Sequence, residues 1–293
     1  MSAAPSPENI MEALNDSGYL MEQEVATVLE GLGYHVQTNF PFEDIDEGKS
    51  REMDVRAIKT IARNEARKLS CVFEIIVECK NSSNPFVFIG RPKTAADQRL
   101  APEEYVFFTR WYETHKPVGK GGSSVQLTEP FHHLGFPNVH YAYQRPEKAV
   151  QFCRVDRKGS GWHANHAGLY DAIFFPMAKA VSSRMKEIPR EPRHDEWRYL
   201  WFFVPLVVVS SDIYWVDSMQ QAPTPEVRPY VTFRRQLRSK TLNGSFSVDF
   251  VRQDYLAWFD TACLGRIAEH AAMLVNEEPD LVLKKEIAWD DAR

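Results

Sequence analysis

Residues 69–79 read Leu-Ser-Cys-Val-Phe-Glu-Ile-Ile-Val-Glu-Cys, the strongest strand signal in the first half of the chain. Valine, isoleucine and phenylalanine suit a pleated, buried surface. The run then ends abruptly in charge, at Glu78-Cys79-Lys80. Side chains alternate along a strand, so Glu78 and Lys80 point to the same side. Charges that close an apolar core strand are costly to bury unless they are paired or bound to metal. Any fold adopted by this chain must give them partners.

The flanking segments supply the other elements. Pro7–Asn15 reads as a short helix behind a loose leader, residues 1–7. From Tyr19 to Leu32 the apolar residues Leu20, Met21, Val25, Val28, Leu29 and Leu32 recur at helical spacing. Ser17 or Asp16 is placed to cap this helix, and Gly33 to end it in a left-handed turn. Tyr34–Phe40 and Met53–Ile61 alternate as strands, separated by an acidic loop, Glu43–Gly48. Asn64–Lys68 is a turn or short helix, Phe86–Ile89 a shorter strand, and Thr94–Leu100 opens a helix. Residues 110–165, rich in Gly, Pro, His and aromatics, give no clear assignment. Leu169–Lys186 reads as a helix, with Pro176 either bending it or marking its start. Strands follow at 201–209, 213–216, 230–235 and 245–251, then a helix over Gln253–Val275. Mixed helices and strands of this kind belong to the α/β or α+β classes.

With 293 residues, 44% of them hydrophobic and 26% charged, the chain can bury a sizeable core, which excludes disordered, collagen-like and coiled-coil classes. No segment approaches the roughly 18 apolar residues of a membrane span. The nearest, Tyr199–Val209, contains Pro205 and stops at Ser210-Ser211-Asp212. The N-terminal segment has no basic residue ahead of an apolar run, so the expectation is a cytoplasmic protein without a membrane partner. Cys71, Cys79, Cys153 and Cys263 form no CxxC pair and read as reduced thiols. Net charge is −5, unevenly spread: −10 over residues 1–48, +5 over 49–99 and zero over the remainder. A basic segment inside an acidic protein faces either a polyanion or solvent.

Asp54 stands at the start of one predicted strand, 24 residues before Glu78, and Glu22 lies on the preceding helix. If the two strands pair, Asp54, Glu78 and Lys80 converge at one sheet edge. Phosphodiester hydrolysis needs a nucleophilic water and stabilisation of charge on the phosphate. Two carboxylates can hold Mg²⁺, which prefers oxygen ligands and keeps several waters. The ion polarises the phosphoryl oxygen and lowers the pKa of a bound water. A neighbouring lysine orients or deprotonates that water, or holds the phosphate. The structural alternative is an edge-strand ion pair between Glu78 and Lys80, worth little at a surface.

The ordered set Glu22, Met53-Asp54-Val55 and Val77-Glu78-Cys79-Lys80 resembles the PD-(D/E)XK, or restriction-endonuclease-like, nuclease superfamily. The nearest-looking branch is that of Mrr-type restriction enzymes and archaeal Holliday-junction resolvases. That branch has a helical Glu followed eleven residues later by Gly and an aromatic, as Glu22 is by Gly33-Tyr34. Met53 stands where the motif name has Pro, a variable position in the superfamily. The resemblance covers roughly residues 17–100 and does not extend to 110–293. It implies an α/β fold with a mixed central sheet flanked by helices over residues 8–110, and a C-terminal α+β extension over 111–293 packed on it. It also implies Mg²⁺ or Mn²⁺ as cofactor and a nucleic acid, DNA ahead of RNA, as partner. Asp54, Glu78 and the Cys79 carbonyl would be metal ligands, Lys80 the water-orienting residue, and Glu22 an auxiliary ligand or base. A homodimer and a role in prokaryotic defence or DNA processing follow from the branch alone. The rival reading keeps this fold as an inactive nucleic-acid-binding or assembly module. Another rival is a hydrolase that uses the C-terminal histidines.

Weaker signals lie elsewhere. Gly119–Ser124 lacks the order of a phosphate-binding Gly-Lys-Ser/Thr loop and reads as a flexible loop. His132-His133 and His163/His166 lack further announced zinc ligands. Arg228, Arg234, Arg235, Arg238 and Lys240 form a second basic cluster, and Arg91, Lys93 and Gln98 follow the E-x-K strand as candidate auxiliary residues.

Overall fold

Two apolar strands lie parallel in full register: β3 (Leu69–Lys80) against β10 (Arg198–Val209), from Leu69 opposite Arg198 to Lys80 opposite Val209. Both are buried over most of their length. Strands without an alternating polar face need cover on both sides of the sheet. The computed structural model, which describes residues 4–118, 122–190, 192–193, 196–239 and 241–288, supplies it with helices on both faces. On one side, α2 (Tyr19–Gly31) turns Met21, Val25 and Leu29 onto Val55, Ala57, Phe73 and Val77. A helix near the C-terminus, α4 (Gly265–Asn276), adds Ile267, Ala271 and Leu274 to that core. On the other side, α3 (Phe175–Met185) packs Met177, Ala178 and Val181 with Ile76, Phe203 and Val207. A short α1 (Pro7–Ser17) precedes α2.

The mixed sheet extends from β3 through hairpin partners. β2 (Lys49–Asn64) runs antiparallel to β3, and β1 (His35–Asp44) antiparallel to β2. Beyond β10 come β14 (Asn243–Arg252), parallel to it, and β13 (Tyr230–Arg238), antiparallel to β14. β8 (Glu147–Lys158), β4 (Phe86–Pro92), β11 (Ile213–Asp217) and β12 (Glu226–Arg228) complete the order β1-β2-β3-β10-β14-β13-β8-β4-β11-β12. β5 (Tyr105–Phe107) pairs with β10 and β9 (Gly161–Asn165) with β8, off that path. A separate small sheet joins β6 (Tyr112–Val118), β7 (Gly122–Thr128) and β15 (Glu286–Ala288). The main sheet therefore takes strands from both sides of residue 110. The chain is α/β, with a large mixed sheet flanked by helices. Among the described residues no helix is long and apolar enough to cross a membrane.

Several local features depart from the sequence reading. The acidic loop is shorter than its composition predicts, because β1 continues through Asp44. The Asp44 carboxylate is 1% exposed and takes Lys179 Nζ at 2.8 Å and Arg51 Nε at 2.7 Å, which holds the strand end in place. Pro176, by contrast, fits one of its two expected roles and marks the start of the α-helix: it sits in the first turn of α3, where the missing N–H costs nothing, behind a wider π-helical turn at Tyr170–Phe174. The unassigned middle holds strands β6–β9 and short helical turns.

Candidate active site

Strand β2 leaves β3 at one point. The last paired rung is Val55 with Val77, and Asp54 is the next residue out. There its side chain replaces the ladder: Asp54 Oδ2 accepts the Cys79 N–H at 2.6 Å. Opposite Asp54 on β1 lies Asn39, with a left-handed φ of +51°, and pairing passes over both residues. Asparagine tolerates this conformation better than most residues, and such strain gathers at functional sites. The departure brings the Asp54 carboxylate to the end of β3.

Glu78 and Lys80 share one side of the same strand end. Lys80 Nζ lies 2.5 Å from Glu78 Oε1, and both side chains are largely covered. The second acid on this face of β3, Glu74, makes a telling contrast. It is fully buried, but Arg56 Nε at 2.7 Å, Arg184 Nε at 2.8 Å and Trp201 Nε1 at 3.1 Å all donate to it. Glu74 is a satisfied structural acid. Glu78 has one ammonium, shared with the field of two further carboxylates.

The third carboxylate is Glu22. Gly18, with φ +84°, makes the corner between α1 and α2 that any Cβ-bearing residue would strain. Asn81, just past Lys80, ties this corner down by donating from Nδ2 to the Asn15 carbonyl. Glu22 sits one turn into α2, its N–H bonded to the Gly18 carbonyl at 3.1 Å. Burial lifts its pKa, and the Asp54 and Glu78 carboxylates lift it further. Burial likewise raises Asp54, against the Cys79 N–H and Lys80, which lower it. Glu78 is raised by burial and by Asp54, against the pull of Lys80. The Cys79 thiol is pushed up by burial and by all three acids. Four side chains predicted from sequence, Glu22, Asp54, Glu78 and Lys80, thus act on one another at one place.

Sequence reasoning missed the rim of this site. After β10, Ser210 donates its N–H to the Lys80 carbonyl at 3.3 Å and its Oγ to Asn81 Oδ1 at 3.1 Å. Ser82 N–H donates to Ser210 Oγ at 3.0 Å. Only the parallel register of β3 and β10 brings residues 128 positions apart together, and no local pattern announces it.

Asp54 Oδ1 and Glu78 Oε2 take no hydrogen bond among the described residues, which leaves both free to meet a cation, and the Cys79 carbonyl follows Glu78 directly in the chain. Among the described residues no group of three or more His, Cys, Asp or Glu side chains is arranged to hold a metal ion. A Mg²⁺ site needs fewer, since that ion is commonly held by one or two carboxylates and keeps several waters. The donor set fits it: hard oxygens, an excess of negative charge and a single lysine.

The other candidates go elsewhere. His133 stacks on Tyr112 with centroids 4.0 Å apart, and His132 lies 3.7 Å from Glu129. His163 is on β9, in the opposite half of the sheet order from β2 and β3. Arg228 pairs with Glu147 at 2.8 Å, and Arg235 lies over the Tyr170 ring. Lys93 donates to the Arg145 carbonyl at 2.8 Å. Gly119, Lys120, Gly121 and Lys240 lie outside the described residues. The four thiols are free.

The chain matches no protein-family model, no curated protein and no solved structure.

Proposed function

We propose that the chain is a Mg²⁺- or Mn²⁺-dependent nuclease, acting on DNA, with a restriction-endonuclease-like core. One observation carries this reading: Glu22, Asp54, Glu78 and Lys80, far apart in sequence, meet where β2 parts from β3, and two carboxylate oxygens there remain open. The fold reading is supported by the run of elements around the site. Helix α2 leads into the antiparallel β1-β2-β3, and α3 leads into β10, which returns parallel beside β3.

Asp54 Oδ1, Glu78 Oε2 and the Cys79 carbonyl would hold the ion. When bound, it polarises the phosphoryl oxygen and lowers the pKa of a coordinated water. The protein's residues do the rest. The Cys79 N–H fixes the Asp54 carboxylate, so its open oxygen is aimed before substrate arrives. Lys80 keeps its ammonium at the strand end, where it orients the attacking water and offsets charge on the phosphate. Glu22, whose raised pKa leaves it readier to take a proton than an ordinary glutamate, serves as auxiliary ligand or base. Water's oxygen bonds to phosphorus, the phosphorus–oxygen ester bond breaks, and the departing oxygen ends as a hydroxyl. A homodimer would place two such centres on a duplex.

The rival, an inactive binding module on the same fold, draws on the absence of a three-ligand cluster among the described residues. A panel of single-stranded, duplex and branched DNA and of RNA, incubated with Mg²⁺ or Mn²⁺ and with chelator, separates the two. The proposal expects divalent-dependent cleavage of at least one DNA form. Binding without cleavage of any substrate in either metal would establish the rival.

A further inference from the structure

The small sheet has an open edge. Among the described residues its order is β15-β6-β7, and β7 pairs with β6 alone, from Tyr112 opposite Thr128 to Val118 opposite Gly122. Natural edge strands are commonly protected by charge, proline, a bulge or shortness. At the edges of the main sheet, β1 contains Pro41, Glu43 and Asp44, and β12 has three residues. β7 has none of these devices. It runs for seven residues, Gly-Ser-Ser-Val-Gln-Leu-Thr, without charge or proline, and its pairing with β6 has no register shift.

Two observations on β6 fix which backbone groups of β7 face outward. The Glu113 N–H donates to the Lys285 carbonyl, on the β15 side, at 2.8 Å. Pro117, an even number of residues further on, has no N–H to give to β7. Successive residues of a strand aim their N–H and C=O at opposite edges, so Glu113, His115 and Pro117 all turn away from β7. Their partners Leu127, Val125 and Ser123 then turn theirs to the open edge. The side chains are reversed as well. Tyr112 and Thr114 are buried, so theirs is the core face, with Gln126 opposite Thr114. Val125 and Leu127 stand on the other face, beside His115 and Glu113, and are 50% and 53% exposed. A sheet covered on one face normally turns apolar side chains inward and polar ones out.

We propose that β7 pairs antiparallel with β7 of a second copy of this chain, about a two-fold axis at Val125. In this register Val125 faces its own counterpart, and Ser123 faces the partner's Leu127. Every such pair joins residues whose backbone groups point to the axis, so about six N–H···O=C bonds form across it. Leu127 lies diagonal to the partner's Val125, and the four side chains make one apolar stripe. Charge argues for a second copy as the occupant: nothing on β7 selects a charged peptide, and in this register no like charges oppose each other. A two-fold contact also requires a patch that complements itself, as this strand does about its midpoint. One pair of strands makes a small interface, of the kind that associates weakly and reversibly. The proposal does not rest on the nuclease reading, since the small sheet contributes no residue to the Lys80 centre.

The test is the mass of the full chain by sedimentation equilibrium, from about 1 μM to about 1 mM, where a monomer–dimer equilibrium should appear. Val125→Lys sets two ammonium groups opposite each other and should raise the dissociation constant at least about tenfold. Val125→Pro should act likewise, because it deletes an outward N–H that β6 does not use. Val125→Cys places two thiols across the axis with Cα atoms about 5.5 Å apart, so mild oxidation should link the dimer above the parent's background. Ser123→Cys, displaced along the strand from its counterpart, should not link. A parent that stays monomeric at about 1 mM overturns the proposal. So does a mass that climbs past the dimer, the sign of head-to-tail pairing through another edge. Folded Val125→Lys and Val125→Pro proteins that dimerise as tightly as the parent overturn it too. If neither folds, a parent that dimerises without a Val125→Cys cross-link still does so.

Discussion

Glu74 and Glu78 stand four residues apart on one face of β3, yet their surroundings give them opposite tasks. Glu74 has two arginines and an indole N–H; Glu78 has one lysine and two neighbouring acids. An arrangement that leaves negative charge in excess is destabilising until a cation arrives. We therefore expect Glu78→Gln to raise the melting temperature in chelator and to abolish the rise that Mg²⁺ or Mn²⁺ gives the parent. A parent protein whose melting temperature ignores both ions would contradict this. The sign with pH follows from the raised carboxyls of Glu22, Asp54 and Glu78. A carboxyl raised on folding favours the folded state while protonated, and that contribution is lost as pH rises through the folded pKa. The stabilisation by divalent ions should accordingly be larger near pH 8 than near pH 5, where protons compete with the metal. The four polar side chains were legible from residue type and order. Asn39, Asn81 and Ser210 were not, because their roles depend on a backbone kink and a strand register that no local pattern records.

At the level of elements, alternation and apolar runs revealed β1, β2, β3, β10 and most of α2 and α4. They failed where a strand buries little: β7 is exposed along almost all its length, so it carries no hydrophobic period to read. They showed β4 as a short strand after the E-x-K segment but carried no sign of its place, between β8 and β11 and across the sheet from β3. Its Gly90 is needed there, since a Cβ at this position would stand 1.8 Å from Trp215 Cζ2. Gly90→Ala should lower stability by about 1–3 kcal/mol, the usual cost of overpacking, measured as a shift in denaturant midpoint. An unchanged midpoint would mean that Trp215 can move aside freely. In the core, Ile76→Ala should cost about 2–5 kcal/mol by the same measurement.

For the molecule as a whole, the main consequence is that β3 depends on β10. A fragment of residues 1–165 keeps the acids and Lys80 but loses β10, β14 and α3, exposing the whole edge of β3 from Leu69 to Lys80. A long apolar edge of that kind is a template for aggregation. We expect the fragment to be insoluble or to lack a cooperative melt by circular dichroism; a soluble, cooperatively folded fragment would show that the sheet divides into independent parts. The α/β class was readable from the succession of helices and strands, whereas the joining of strands across residue 110 was not, because it rests on contacts more than a hundred residues apart. The account's central claim is that the Lys80 ammonium serves chemistry at this strand end. Its most direct measurement is the rate of DNA cleavage by Lys80→Ala beside the parent, in Mg²⁺ and in Mn²⁺, with DNA affinity measured in Ca²⁺. The account predicts a fall of roughly two orders of magnitude or more, the scale of a positioned proton-transfer group, with affinity largely retained. A folded Lys80→Ala protein that cuts as fast as the parent would contradict it, leaving Lys80 as no more than the ion-pair partner of Glu78.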